Sequence, residues 1–452
     1  MGKVIRDTFS VCPICLERVP ARRVRTGDEV RLEKTCPVHG DFSVVVWRGK
    51  VDHDEWLGGA PAIAPGENEA CPTACGLCGE HLQDTCCILL EVTSRCNLSC
   101  RFCFAGGGDA HDPTTDPPPG RIREWLSRVV RPGKSLVHLS GGEPTLRDDL
   151  PQLVAICKEL GCKYVQVNTN GIRLARDEGY VKALAEAGLS FVFMQFDGTE
   201  DGIYEALRGR PLLATKKRAI SNCALQNIGI TLVPTLVPGV NTQNIGDILR
   251  YAVKSSPAVR GVHFQPVSFF GRIPAAPRDE DRFTLDELLL EIEEQAGELI
   301  GLENLAPSQC NHPFCGFHGD FVVMPSRLVP LTRRGATAPA GGAFAGAASG
   351  SNGCCCGSVQ ADRNREFIGR RWTRPRPDGA GHAACCGTGT DLGDMEYFLR
   401  RVKSHGFTVT AMAFQDAGNL DLERLRRCSL HVCDAGRLIP FCSYYLSAWQ
   451  RA

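Results

Sequence analysis

Residues 94–106 have the sequence SRCNLSCRFCFAG and hold three cysteines, Cys96, Cys100 and Cys103, in a C-x3-C-x2-C array. Three thiolates at this spacing can ligate three irons of a cubane [4Fe–4S] cluster, which leaves the fourth iron without a protein ligand. An open iron is not needed for electron storage, so the array indicates chemistry at the cluster. The preceding apolar run CILLEVTS, residues 87–94, predicts a strand that leads directly into this loop. A structural zinc knuckle or a disulfide-rich patch is the alternative interpretation.

The composition restricts the class of protein. A chain of 452 residues is long enough for two or three domains. Lys and Arg (51) balance Asp and Glu (51), which argues against a nucleic-acid partner, since such binders are usually basic. The sequence shows neither an apolar run of about 18 residues nor a signal peptide at its start. We therefore expect a cytoplasmic protein whose 24 cysteines bind metal rather than form disulfides, in an anaerobic setting; peripheral membrane contact stays open.

A second cysteine pattern lies near the start of the chain. CPIC contributes Cys12 and Cys15, and CPVHG contributes Cys36 and His39. The C-x2-C…C-x2-H spacing predicts a zinc ribbon or a rubredoxin-like knuckle. Tetrahedral sites of this kind suit zinc or a single iron, so the choice of metal stays open. If iron is bound, four sulfurs are preferred, and a later cysteine such as Cys71 or Cys86 would replace His39.

Strand and helix patterns alternate through the middle of the chain. The repeats predict a parallel sheet covered by helices, which right-handed crossovers curl toward a partial barrel. We expect a Cys-rich metal-binding region at residues 1–85, an α/β partial barrel at 86–275, and a C-terminal region at 276–452 that includes a flexible Ala/Gly loop at 335–353. The predicted strands are 87–93, 135–140, 164–168, 191–196, 229–234 and 261–265.

The motif HLSGGEPTL places Gly141, Gly142, Glu143 and Pro144 at the end of the second predicted strand. This segment, in second-strand position after the cysteine array, resembles the radical S-adenosylmethionine (SAM) family. The resemblance implies a partial (βα)6 barrel and a cluster whose open iron binds the amino and carboxylate groups of SAM. One electron then cleaves SAM to methionine and a 5′-deoxyadenosyl radical.

The same resemblance implies which residues contact SAM. The GGEP segment, Gly141 to Pro144, would meet the amino group, and Phe102 lies within the cysteine loop. Asn168 and Asn170, in VNTNG at the end of the third strand, would meet the ribose hydroxyls. Asp197, in QFDG at the end of the fourth strand, would contact SAM or substrate. No catalytic residue beyond the cluster and SAM is expected.

Further cysteines predict auxiliary iron–sulfur sites. The segments CNHPFC and CSLHVCDAGRLIPFC offer Cys310, Cys315, Cys433 and Cys442 as the preferred set for a [4Fe–4S] cluster in the C-terminal region. CPTACGLC repeats the main spacing with Cys71, Cys75 and Cys78, and predicts a second auxiliary cluster or part of one. Zinc sites and buried thiols are the alternatives, and His312 or His431 can stand in for a cysteine.

The layout of the whole chain resembles one subgroup, the tetraether lipid synthases and methanopterin-linked methylases, with the related bacterial TrsS group. That resemblance implies hydrogen abstraction from an unactivated carbon of a lipid-like or small-molecule substrate, followed by carbon–carbon bond formation or methylation. A reduced flavodoxin- or ferredoxin-type protein would supply the electron. A SPASM-type peptide maturase is a second hypothesis, and an iron–sulfur electron carrier that does not cleave SAM is a third.

Overall fold

A computed structural model describes most of the chain. The described residues are 2–58, 71–72, 76–108, 112–334, 365–366, 369–374 and 390–449. Cys75 and the Ala/Gly segment 335–353 lie outside them, so the expectations for both stay predictions. Among the described residues, no helix combines the length and apolarity needed to cross a bilayer.

The N-terminal region is a separate four-stranded antiparallel sheet with a short helix α1 (His53–Leu57) after it. Hydrophobic and polar residues alternate along its strands, which buries Val30 and Leu32 on one face. Both metal-type knuckles lie at the same end, because one connects β1 to β2 and the other connects β3 to β4. The strands, in sheet order, are β1 (Lys3–Val11), β2 (Arg18–Thr26), β3 (Glu29–Cys36) and β4 (Gly40–Trp47).

The predicted α/β unit is present, and each of its six strands lies within two residues of the predicted bounds. The strands pair in parallel, in chain order, with helices between them. They are β5 (Cys87–Thr93), β6 (Leu136–Gly141), β7 (Tyr164–Thr169), β8 (Phe191–Gln195), β9 (Gly229–Val233) and β11 (Val259–Pro266), with a short β10 (Thr235–Leu236) beside β11. The helices are α2 (Pro119–Val129), α3 (Leu150–Glu159), α4 (Ile172–Arg176), α5 (Glu178–Glu186), α6 (Asp201–Arg208), α7 (Leu213–Leu225) and α8 (Ile245–Lys254).

The region after residue 275 extends this sheet at both edges rather than forming a layer of its own. One strand pairs in parallel with β11 and another pairs in parallel with β5, and antiparallel strands continue outward from each. The sheet is therefore mixed, and its described strands do not close into a barrel. The added strands are β12 (Ala306–Pro307), β13 (Gly316–Val323), β14 (Leu328–Pro330), β15 (Gly406–Met412), β16 (Leu430–Asp434) and β17 (Arg437–Pro440). The added helices are α9 (Leu285–Ala296), α10 (Thr390–Ser404), α11 (Leu422–Arg426) and α12 (Phe441–Tyr444).

Strand alternation gives the curled sheet two different faces. On β5, Ile88 and Leu90 pack into the main core with the helices. Cys87 points to the opposite, inner face, where it joins Phe191 and Phe193. Trp372, from the described segment 369–374, packs into this inner cluster and donates its indole N–H to Thr408 Oγ1 at 2.7 Å. The inner face is thus covered by Trp372 at the amino ends of the strands.

Buried ionic contacts attach the N-terminal sheet to the C-terminal region. Arg23 on β2 donates from Nε to Asp421 Oδ2 at 2.7 Å and from a terminal nitrogen to Glu423 Oε2 at 2.8 Å. All three side chains are less than one-tenth exposed. Lys34 on β3 donates to the carbonyl oxygens of Ala417 and Gly418 at 2.8 Å each.

Replacing Arg23 by Met is expected to lower the free energy of unfolding by about 3–5 kcal/mol, because the Asp421 carboxylate then stays buried without its arginine. Arg22 is the matched control on the same strand, since its contact to Glu33 is exposed and is worth about 1 kcal/mol or less. The measurement is the denaturant midpoint of metal-loaded protein. Equal midpoints for R23M and R22M would contradict the docking role of Arg23.

Candidate active site

The three cysteines of the C-x3-C-x2-C array lie in the loop at the carboxyl end of β5. Cys96 and Cys100 are buried and Cys103 is half-buried. Burial raises the pKa of Cys96 to about 12, and the negative charges of Glu143, Cys100 and Cys103 add to the shift. The three thiols are therefore close enough to one another to interact electrostatically.

The spread of these sulfurs suits a cluster better than a single ion. Among the described residues, the set whose ligand atoms lie within 4.8 Å of one another is the N-terminal knuckle, and the three loop cysteines do not form such a set. A tetrahedral ion requires sulfurs about 3.8 Å apart, whereas a cubane cluster takes each thiolate on a different iron and so needs wider spacing. Three thiols on one loop that are not arranged for a single ion are the kind of donor set that a [4Fe–4S] cluster takes.

Arg272, from the segment after β11, holds the shape of this loop. Its guanidinium donates to the carbonyl oxygens of Cys100 and Gly106 at 3.2 Å each, and also to Gly107 O. Its backbone exchanges two hydrogen bonds with Cys103, at 3.0 and 3.1 Å. The loop conformation thus depends on a residue about 170 positions away, and nothing in the motif itself pointed to Arg272.

The GGEP segment is hydrogen-bonded along the start of the cysteine loop. Gly142 N donates to Thr93 O at 2.8 Å, and Glu143 N donates to Arg95 O at 2.7 Å. A Cβ on Gly141, which has a φ of +132°, would lie 2.1 Å from Thr93 O, and one on Gly142 would lie 2.2 Å from Arg95 O. The glycines are therefore required by the close approach of two backbone segments.

Glu143 is buried and joins the ends of β6 and β7. Its Oε1 accepts bonds from the Thr145 and Thr169 hydroxyls at 2.6 Å each and from Thr145 N at 3.1 Å. Its Oε2 accepts one bond, from Asn170 N at 2.7 Å. Oε2 is therefore the less engaged of the two carboxylate oxygens. Pro144 follows as the buried first residue of a 3-10 turn.

The other residues predicted to contact SAM have different surroundings. Phe102 lines the cavity and packs edge-on against Phe269, with ring centroids 6.1 Å apart. Asn168 also lines the cavity and donates to Ser140 Oγ at 3.3 Å. Asn170 donates to Asn97 Oδ1 in the cysteine loop at 2.7 Å and accepts from Ile172 N, so its amide is largely engaged by the protein.

Asp197 is fully buried, and its carboxylate forms an ion pair with Arg208, a residue that the sequence analysis did not predict. Its carboxylate receives two bonds from Arg208, at 2.6 and 2.8 Å, and one from Thr235 N at 3.2 Å. Arg208, at the end of α6, lines the cavity and also hydrogen-bonds Cys100, while Asp197 is not among the residues that line it. Asp197 therefore orients Arg208 and does not itself face the cavity, because the guanidinium covers its oxygens.

A single cavity of about 300 Å³ connects these groups with the inner face of the sheet. Its mouth lies at the cysteine loop and the GGEP segment, at the carboxyl ends of the strands. Its wall includes His138, Phe193 and His263, and Trp372 lies at its floor. Cys86 and Cys310 line one side. The cluster loop and the inner face of the curled sheet thus line the same cavity.

The N-terminal knuckle forms a four-ligand metal site of tetrahedral size. His39 Nδ1 lies 3.5 Å from the sulfurs of Cys12 and Cys36, and the sulfurs of Cys15 and Cys36 are 3.9 Å apart. A tetrahedral Zn²⁺ with Cys and His ligands requires separations of about 3.5–3.8 Å. His39 completes the set. Cys71 and Cys86 lie elsewhere, since Cys71 packs near Cys442 and Cys86 hydrogen-bonds Cys310.

Three of the four cysteines preferred for an auxiliary cluster come together in the C-terminal region. Cys315 O accepts from Ala413 N at 2.8 Å, and Cys442 Sγ accepts from Gln415 N at 3.3 Å, so both lie beside the end of β15. Asn311, next to Cys310, accepts two bonds from Ser429, next to Cys428. Burial raises the pKa of Cys428 to about 12, with contributions from the charges of Cys315 and Cys310. The group brought together is therefore Cys310, Cys315, Cys428 and Cys442.

Cys433, which the sequence favoured for this group, points the other way. Its neighbour Val432 on β16 packs in the same buried cluster as Cys442, whereas Cys433 packs in the main core on the helix side. Successive residues of a strand face opposite sides, so Val432 and Cys433 cannot both reach Cys442. Cys428 takes its place. Cys71 packs in the cluster of Cys442, and Cys78 is half-buried.

Comparison with known proteins identifies the family. The Radical SAM superfamily profile matches residues 90–252, and the HMPTM N-terminal zinc ribbon domain profile matches residues 4–48. The chain is 32% identical to the 7,8-dihydro-6-hydroxymethylpterin dimethyltransferase of Methanocaldococcus jannaschii, over 97% of this chain and 93% of that protein. The chain belongs to the radical SAM superfamily. It is an enzyme of that superfamily, and its cofactors are a [4Fe–4S] cluster and SAM, together with a zinc or iron site in the ribbon.

Other similarities are local. The radical SAM enzyme described here is 31% identical to a probable GTP 3′,8-cyclase of Methanothermobacter thermautotrophicus over 36% of this chain and 52% of that protein. Among solved structures, SuiB of Streptococcus suis aligns with a TM-score of 0.38 and 15% identity, over 47% of this chain and 46% of SuiB. A similarity this weak supports no argument about function.

Replacing Cys36 by Ala is expected to remove about one equivalent of zinc or iron per chain. The reason is that a structural tetrahedral site needs four protein ligands, and only three remain. The matched control is Cys223→Ala, since Cys223 is buried within α7 away from the knuckle. Elemental analysis of anaerobically purified protein measures the change. Unaltered metal content in C36A would contradict the ribbon site.

Proposed function

We propose that this radical SAM enzyme methylates a small heteroaromatic molecule of the dihydropterin type inside the cavity of the curled sheet. The observation that carries the proposal is the cavity itself, which begins at the cluster loop and ends at aromatic and polar side chains. Its volume of about 300 Å³ is at the low end of the range for small-molecule sites. The nearly full-length similarity to a pterin dimethyltransferase supports the same substrate class over a peptide.

The cluster and SAM are assigned to the mouth of the cavity. Cys96, Cys100 and Cys103 would hold three irons, and SAM bound at the open iron supplies the 5′-deoxyadenosyl radical that abstracts hydrogen from a substrate carbon. Glu143, whose Oε2 accepts a single hydrogen bond from the protein, would contact the ammonium group. Arg208, held by Asp197, presents guanidinium N–H groups suited to a carboxylate.

The surrounding side chains would position SAM and exclude water from it. Phe102 offers an apolar surface beside the loop, and Asn168 offers an amide at the cavity wall. Gly141, Gly142, Pro144 and Asn170 act by fixing the backbone on which Glu143 and the loop are held. Lys216 supports this arrangement from beneath, since its Nζ donates to Asn170 O at 2.6 Å and to Gln195 Oε1 at 3.2 Å.

An auxiliary [4Fe–4S] cluster is assigned to Cys310, Cys315, Cys428 and Cys442, with Cys71 as an adjacent thiol. Cys310 and Cys86 line the cavity, so electrons could pass between this site and a bound substrate over a short distance. Cys78 and Cys75 are assigned to a second site or a share in one. In the ribbon, the Cys3His ligand set favours zinc over a single iron, which prefers four sulfurs.

The remaining proposals concern the setting of the reaction. We assign residues 1–85, 86–275 and 276–452 to metal ribbon, catalytic barrel and auxiliary-cluster region. The electron for SAM cleavage is assigned to a reduced flavodoxin- or ferredoxin-type donor, since the reaction needs one electron per event. We place the enzyme in the cytoplasm of an anaerobic cell.

Cys100→Ala is expected to abolish formation of 5′-deoxyadenosine from SAM in reconstituted, dithionite-reduced protein, because a cluster held by two thiolates at this loop is not retained. The zinc content of the ribbon and the auxiliary iron are expected to stay, and C223A is again the control. Chromatography of the quenched reaction measures the product. Cleavage of SAM by C100A at the wild-type rate would overturn the assignment. If the reconstituted wild-type protein itself cleaves no SAM, the electron-carrier hypothesis replaces it.

Incubation of the wild-type enzyme with excess SAM, reductant and 7,8-dihydro-6-hydroxymethylpterin is expected to give products heavier by one and two methyl groups. Each addition uses one SAM as the radical source, whose methyl group stays on methionine, and a second SAM as the methyl donor, with the reductant supplying the electrons. The physical reason is that the cavity places a small ring next to the site of radical formation. Mass spectrometry of the pterin fraction measures the gain. Robust 5′-deoxyadenosine formation with unchanged pterin mass would show radical SAM chemistry on a different substrate.

A further inference from the structure

A layer of polar side chains lies in the cavity below the SAM region. His138 on β6 and His263 on β11 line the cavity, and Phe193 on β8 lies between them. The centroid of the Phe193 ring is 5.4 Å from each imidazole centroid and 4.7 Å from that of Trp372. The two imidazole rings, which can form hydrogen bonds, therefore both pack against the Phe193 ring.

The hydrogen bonds of His138, which lines the cavity, leave one ring nitrogen without a partner. Its Nδ1 is paired with Gln166 Nε2 at 3.3 Å, and the amide nitrogen can only donate, so Nδ1 accepts. Burial, with a contribution from the charge of His263, lowers the pKa of His138 to about 3 and keeps the ring neutral. The single ring proton is then on Nε2. That atom is buried and has no partner among the described residues, and His138 as a whole is only 8% exposed.

Two neighbouring strands repeat this feature. Gln166 Oε1 on β7 and Thr231 Oγ1 on β9 are also buried without a hydrogen-bond partner in the described part of the chain. Gln166 pairs in register with His138, and Thr231 pairs in register with Phe193, so all belong to one layer. Buried polar atoms are rarely left unpaired, because each loses its hydrogen bonds to water without compensation. Of these three residues, His138 lines the cavity, and an unpaired polar atom on a lining side chain is typical of a site that a ligand completes.

His263 can adapt to the ligand. Its Nδ1 is 2.8 Å from Thr410 Oγ1. A hydroxyl can donate or accept, so the Thr410 contact permits either tautomer and lets His263 Nε2 present a donor or an acceptor. Burial lowers the pKa of His263 to about 4, so this ring is neutral as well. The layer thus offers one defined donor and one adaptable group, without a formal charge.

We propose that His138 and His263 form the substrate-recognition layer of this enzyme, in which His138 donates its Nε2–H to an acceptor atom of a planar, uncharged heteroaromatic ring that lies against Phe193. A long hydrocarbon would leave these polar atoms unpaired, and an anionic group would find no cation in the layer. The inference rests on the proposed function, since it states how the substrate of that site is held.

The test is a binding titration without turnover. 7,8-Dihydro-6-hydroxymethylpterin is added anaerobically to metal-loaded, full-length protein, and its intrinsic fluorescence gives the dissociation constant. His138→Phe keeps a ring and removes the donor, so the dissociation constant is expected to rise about tenfold to a hundredfold. His138→Gln places an amide N–H near the position of Nε2 and is expected to recover most of the affinity.

The controls separate recognition from folding. His405→Phe makes the same chemical change at a half-buried histidine that bonds Ser404 outside the cavity, and it is expected to bind the pterin as the wild type does. Binding of SAM to each variant shows that the barrel is folded. Equal pterin affinity for H138F and wild type would overturn the inference, and so would equal weakness of H138F and H138Q.

Failure of the recognition layer can be told apart from failure of the proposed pterin substrate. If the wild type does not bind the pterin, a panel of lumazine, guanine and uracil replaces it in the same titration. A panel member that binds the wild type and loses affinity in H138F supports the recognition layer while the pterin proposal fails. If the wild type binds none of these rings, the recognition role of the layer is overturned. SAM cleavage is measured separately and tests the radical SAM activity.

Discussion

The pairing of the GGEP segment with the start of the cysteine loop is the contact on which the active site depends. Two backbone hydrogen bonds, from Gly142 N to Thr93 O and from Glu143 N to Arg95 O, continue the β5–β6 pairing past the ends of both strands. Only residues without a Cβ allow this approach. The contact places the Glu143 carboxylate beside the cluster cysteines. Because Glu143 then binds Thr169 and Asn170, the end of β7 is fixed to the same point.

From this point the parallel sheet determines where everything else lies. Strands that run in parallel bring their carboxyl ends to one edge, so the cysteine loop, GGEP and the Asp197–Arg208 pair share one rim. The same alternation that buries aliphatic side chains under the helices directs His138, Phe193 and His263 inward. The cysteine loop with GGEP and the polar layer are therefore two levels of one cavity. They are separated by about two residues along each strand, which is the period of side-chain alternation.

The C-terminal region completes the site by extending the sheet. Adding β15 beside β11 and β16 beside β5 lengthens both edges of the curled sheet. These strands bring in Thr408 and Thr410, which hold Trp372 and His263, and they carry the auxiliary cysteines toward the cavity wall. The buried Arg23–Asp421–Glu423 contact then attaches the metal ribbon to this region. The C-terminal region thus contacts both the metal ribbon and the α/β sheet.

Short motifs and local periodicity made a large part of this protein predictable. The cysteine array, GGEP, the six strands and the C-x2-C…C-x2-H ribbon each lie within a few neighbouring residues, and their chemistry follows from spacing. What the tertiary structure decided involves residues far apart in the chain. Arg272 shapes the loop from beyond β11, Arg208 covers Asp197, and Cys428 replaces Cys433.

The physical reason is register. Which face of a strand a cysteine or histidine occupies depends on its pairing partner, and that partner is a distant segment whose position no local pattern contains. His138 and His263 meet over Phe193 only because β6, β8 and β11 are aligned in one curled sheet. The sequence by itself determined which reaction this chain can start, and the alignment of its strands decided what kind of molecule the cavity can hold.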